Sequence, residues 1–114
     1  MMNFDEYQIP PEIQALNLET VPDADRGYSC PEFQATGKDG HVVHLTVAHP
    51  DASKRGVDED ARFMTWVCAH GDLVNVVHNE DGSYLGVCTE DVHAAIQSMK
   101  NLVAGPIPAG AYWR

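Results

Sequence analysis

Apolar and polar positions alternate with a period of two from Tyr28 to Cys88, and the period becomes helical after Thr89. His41 to His49 is the clearest strand, with Val43, Leu45 and Val47 on one face. Its other face carries Val42, His44, Thr46 and Ala48. That face is less apolar, and the expectation is that it is wet or half covered. Tyr28 to Thr36 reads as a second strand, interrupted at Pro31, which assigns it to an edge or a bulge. Gly37-Lys38-Asp39-Gly40 is a strong turn signal between the two. A polar loop from Pro50 to Asp60 follows. Arg62 to Ala69 and Leu73 to His78 then read as strands joined at His70-Gly71-Asp72, and Asp81-Gly82 turns the chain into Tyr84 to Cys88. Residues 28–88 therefore predict an antiparallel sheet, a four- to five-stranded meander in which sequential strands pair.

Thr89 has the chemistry of an N-cap, and Glu90 and Asp91 suit the first turn through the helix dipole. Val92, Ile96, Met99 and Val103 recur at helical spacing, and Ala95 and Leu102 widen the stripe. Gly105 and Pro106 close the helix, so the pattern predicts a helix over 89–104 and a tail over 105–114. Residues 1–27 read as irregular. Within them Pro10 to Leu16 permits one short helix, with Pro11 near its first position and Ile9, Ile13 and Leu16 as its apolar face, while Val21 to Gly27 reads as a loop. The expectation is one α+β domain over 1–114, its sheet covered on one face by the C-terminal helix.

Charge changes this picture more than composition does. Seventeen acidic side chains stand against seven basic ones, a formal charge of -10. The 44% hydrophobic fraction is ordinary for a globular chain, so the imbalance does not imply disorder. Residues 1–25 carry six acids and no Lys or Arg, and further acids cluster at Asp58-Glu59-Asp60, Glu80-Asp81 and Glu90-Asp91. A field of this sign repels phosphate backbones and anionic lipid, and it attracts basic protein surfaces. The bases are scattered, only Lys54-Arg55 being adjacent, so direct nucleic-acid binding is excluded. No apolar run approaches the roughly 20 residues of a membrane span, and the N-terminus lacks the pattern of a secretory signal. Cys30, Cys68 and Cys88 are an odd number without framework spacing, as expected of reduced thiols in a cytoplasmic protein.

Catalytic signatures are weak. His41 and His44 face opposite sides of a strand and cannot share an ion. Cys68 and His70 would share a face, and Cys88 could join them only if the fold brought its strand end close. The paired Cys-x-x-Cys spacing of a structural zinc site is missing, so no metal and no cofactor is expected. The same three residues define the alternative expectation, a small metal-binding or thiol-dependent enzyme. Asp58, Glu59 and Asp60 lack calcium-loop spacing, and Gly37 to Gly40 matches no phosphate-binding loop.

The leading expectation is a small non-enzymatic interaction protein that binds a basic surface on a protein partner. Its contacts are assigned to Asp58, Glu59 and Asp60, to Glu80 and Asp81, and to Tyr112 and Trp113 as an apolar anchor. Where the partner's basic surface holds nucleic acid, the carboxylates stand in for phosphates and the protein is a competitive inhibitor. In size and charge the chain resembles small acidic immunity proteins and phage-encoded inhibitors of bacterial defence, although no motif identifies a family.

Overall fold

The computed structural model describes residues 4–21, 30–57, 59–69 and 76–113. Two short helices, α1 (Phe4–Tyr7) and α2 (Pro11–Gln14), precede strands β1 (Glu19–Val21), β2 (Glu32–Thr36), β3 (Val42–Val47) and β4 (Phe63–Cys68). After them come β5 (Val77–His78), β6 (Cys88–Thr89), the long helix α3 (Val92–Ala104) and β7 (Tyr112–Trp113). The main sheet has five strands in the order β1-β2-β3-β4-β6, and its pairings are antiparallel. α3 packs on β3, β4 and β6, which makes this an α+β fold with a sheet covered by the C-terminal helix.

The strict alternation in β3 sets the register of the sheet. Val43 pairs with Val67, Leu45 with Thr65 and Val47 with Phe63, so one sheet face is nearly continuous in apolar side chains. Val43, Leu45, Val47 and Val67 are fully buried, each contributing about 1.5–3 kcal/mol of transfer free energy. Ala95 and Met99 bring the helix onto this face, and Val92, Ile96, Leu102 and Val103 close around its margin. Ile13, 1% exposed, docks α2 on the same core, and Pro11 occupies the first turn as its fixed φ favours. No described helix is long and apolar enough to cross a membrane.

Six expectations are corrected. Pro31 does not merely interrupt a strand: β2 begins immediately after it, at Glu32. The N-cap of α3 is Asp91, whose Oδ1 accepts from His93 N–H at 2.9 Å, while Thr89 ends β6 and its hydroxyl accepts from Asp91 N–H. Tyr84 to Cys88 is not a continuous strand. Gly86, at φ +138°, turns the chain against Thr65, and regular pairing resumes only at Cys88. Within Leu73 to His78 the described strand is Val77–His78, which pairs with the tail through β7, while only isolated bridges join Val76 to Cys68 and His78 to Tyr84. The N-terminal segment also supplies an edge strand, β1, to the sheet, its Val21 lying where a loop is expected.

The sixth correction concerns the less apolar face of β3. It is not wet: His44, Thr46 and Ala48 are 0%, 3% and 2% exposed. Register places Gln34, His44 and Trp66 side by side across β2, β3 and β4. The His44 and Trp66 rings stack with centroids 4.0 Å apart, and His44 Nδ1 lies 3.3 Å from Glu32 Oε2. This buried layer is held by contacts among its own members, the His44–Trp66 stack and the approach of His44 to Glu32.

Candidate functional site

The sequence-assigned contact residues divide into two groups. Glu80 and Asp81 occupy an exposed turn between β5 and Tyr84. The Ser83 hydroxyl and N–H both donate to Asp81 Oδ1, at 2.6 and 2.9 Å, and hold its carboxyl below the usual range. His78 pairs with Tyr112 and Val77 with Trp113, so β7 lies beside this turn. Gly110 makes room for Glu80: a Cβ there would stand 3.1 Å from Glu80 Oε2. Tyr112 stacks on His78 with ring centroids 5.4 Å apart, and Tyr84 packs on His78 at 4.9 Å. The structure thus brings Glu80, Asp81, Tyr112 and the backbone of Trp113 together.

The second group lies in the loop before β4. Asp58 is outside the described residues; Glu59 is half-buried and Asp60 exposed. Glu59 turns partly inward, where the Cys30 thiol donates to it. Burial first, and then the charges of Glu59 and Glu32, push that thiol up to about 12. Asp60 lies near Cys88, whose thiol is raised by burial and by this carboxylate. Glu59 is therefore in part a structural residue, and Asp60 is the described surface acid of the cluster.

The alternative set does not converge. Cys68 is fully buried in β4, Cys88 is exposed in β6, and His70 lies outside the described residues. Cys88 is opposite Met64, four residues from Cys68, or about 13 Å along an extended strand. Among the described residues no group of three or more His, Cys, Asp or Glu side chains is placed to hold a metal ion.

Two of the cations, Arg55 and Arg62, have partners within the chain. Arg55 forks onto Glu90 at 3.1 and 3.2 Å and donates to His49 O. Those contacts, with the Arg62 N–H, hold the Glu90 carboxyl below its ordinary range. The Arg62 guanidinium donates to the carbonyls of Ala48, Tyr7 and Gln8 and lies 5.1 Å over the Phe63 ring. Desolvation lowers its pKa, with nearby Arg55 adding to the effect. What the described surface exposes is eleven carboxylates and three lysines, Lys38, Lys54 and Lys100.

Between the two acid groups runs a cleft of about 290 Å³. Met64, Thr65, Trp66, Val76, Tyr84, Gly86, Val87 and Cys88 line it. Tyr84 and Val87 are two of the exposed large apolar residues, at 62% and 39%; a third, Val57, stands beside the Asp58 cluster in sequence. Sequence reasoning missed this cleft, although Gly86 within an apolar alternation is a signal for close backbone approach. No protein-family model matches the chain, and no curated protein or solved structure matches it.

Proposed function

We propose that this protein is a small acidic, non-enzymatic interaction protein of the cytoplasm that binds a basic surface on a protein partner. Where that surface ordinarily holds nucleic acid, it acts as an inhibitor, its carboxylates occupying the places of phosphates. One observation carries the reading: among the described residues eleven exposed carboxylates stand against three exposed lysines. Such a surface steers basic partners at long range and repels nucleic acid and anionic lipid. The free cysteines, two of them buried, fit a reducing compartment.

The test is capture of partners by the tagged protein from lysate of its source cell, washed at low and at high salt. The expected result is one stoichiometric protein with a basic, nucleic-acid-binding face, released by salt and displaced by added nucleic acid. Capture that survives high salt and ignores nucleic acid would refute the phosphate-mimic reading. No stoichiometric protein at either salt would refute the basic-partner reading.

A further inference from the structure

We propose that the cleft along β4 docks a short basic segment of the partner, seating one aliphatic or aromatic side chain on Trp66 and Met64 between flanking lysines or arginines. The proposal rests on the interaction reading above and supplies its contact chemistry. Acidic clusters alone attract a basic surface without fixing where it lands; an apolar socket between them does fix it.

The socket is built rather than incidental. Its floor is Trp66, 6% exposed and stacked on His44, which is itself fully buried and held at Glu32. A ring held by its stacked neighbour loses little freedom when something lands on it, which is the condition for a preorganised site. One wall is Tyr84 and Val87, which present exposed apolar surface beside the buried Trp66. That wall is set by the backbone: Val87 O accepts from Thr65 N–H and Val87 N–H donates to Thr65 Oγ1, both at 2.9 Å.

Size and charge then select the occupant. The volume falls at the floor of the range for small-molecule sites, roughly 300–1,000 Å³. It suits one or two side chains better than a cofactor. The span from Cys88, opposite Met64, to Val76, bridged to Cys68, is about 13 Å, the length of roughly four extended residues. Asp60 stands near the Cys88 end, and Glu80 and Asp81 lie on the turn leading into Tyr84. None of the exposed lysines lines the cleft. An apolar side chain with cations on either side complements this arrangement; an acidic or neutral segment does not.

The experiment titrates the full chain, labelled for NMR at amides and methionine methyls, with three capped peptides at low salt: Lys-Lys-Leu-Phe-Lys-Lys, Lys-Lys-Ser-Ser-Lys-Lys and Glu-Glu-Leu-Phe-Glu-Glu. The first is expected to bind at least tenfold more tightly than the second, since one buried large side chain is worth that factor or more. Its shifts should concentrate on Met64, Trp66 and Val87. Tyr84→Ser should reduce its affinity to that of the serine peptide. Val87→Lys, on an exposed position, should do the same while leaving the spectrum folded. Equal binding of the two basic peptides, with shifts spread over the acidic loops, overturns the docking site and leaves the acidic-surface reading standing. Failure of both basic peptides to bind overturns that reading as well. Equal binding of the glutamate-flanked peptide overturns the assignment of a basic occupant.

Discussion

Gly86→Ala tests how the cleft wall is held. Gly86 sits at φ +138°, where an L side chain is strained, and its α-carbon lies against the β4 backbone. A Cβ at this position would stand 1.9 Å from Thr65 O, 2.6 Å from Thr65 C and 3.0 Å from Thr65 Oγ1. Real contacts of that kind essentially never fall below 3.0 Å, so the 85–87 segment must retreat by more than an ångström. The retreat breaks both hydrogen bonds between Thr65 and Val87, each worth about 1 kcal/mol, and adds backbone strain of about 1–3 kcal/mol. The total is about 3–5 kcal/mol. With a urea m-value of about 2 kcal/mol/M, the unfolding midpoint should fall by about 1.5–2.5 M. Gly82→Ala is the control, because φ is +92° there but the nearest atom to the new Cβ is the Tyr112 hydroxyl at 3.7 Å. It should carry only the backbone strain. If Gly86→Ala costs no more than Gly82→Ala in urea titrations followed by Trp66 and Trp113 fluorescence, the close approach to Thr65 is wrong, and the cleft wall with it.

The remaining predictions use the cysteines and Arg62. Native protein should react with one equivalent of thiol reagent per chain, at Cys88, and with three only when unfolded, because Cys30 and Cys68 are 1% and 0% exposed; two fast native thiols would contradict the fold around Cys30. Cys30 carries a thiol raised from 9.0 to about 12, so its neutral form is favoured by folding. The associated stability is fully present below pH 9 and lost as pH rises toward 12, by an amount on the order of a few kcal/mol. Cys30→Ala should flatten alkaline unfolding in that window, and an unchanged profile would refute the assignment. Arg62→Met should destabilise by about 2–4 kcal/mol, as charge-assisted bonds to three carbonyls are lost, and should speed amide exchange in residues 4–18 ahead of the sheet; uniform exchange would show that Arg62 does not anchor that segment.

The core was legible because one signal dominated it. Val43, Leu45 and Val47 on β3 and the stripe from Val92 to Val103 on α3 obey clean periods, and those two elements face each other. What the pattern could not show was pairing at a distance. His44 looks like a solvent-facing histidine until register sets it between Gln34 and Trp66, with Glu32 at its Nδ1. The tail shows no strand until Tyr112 pairs with His78, because a two-residue strand is too short to leave a periodicity. The candidate site divided in the same way. Glu80, Asp81 and Tyr112 were legible as types, an acidic turn and an aromatic tail, and only topology showed them adjacent. The cleft was invisible because its lining comes from four separate segments and its shape depends on the backbone angle of Gly86.

The buried polar layer and the acidic surface have a common logic. A sheet face carrying Glu32, His44 and Trp66 could be replaced by apolar side chains of similar volume at little cost to stability, as buried polar pairs often can. What such a replacement would lose is orientation: His44 and Glu32 hold the Trp66 ring in one plane, and that ring is the floor of the cleft. On the outer surface, Arg55 and Arg62 are likewise committed to fixed partners within the chain, and among the described residues exposed carboxylates outnumber exposed cations eleven to three. The polar groups with fixed geometry therefore serve shape, and those left exposed serve field. A protein that recognises a basic partner needs both, a field to bring it in and a rigid socket to determine where it stops.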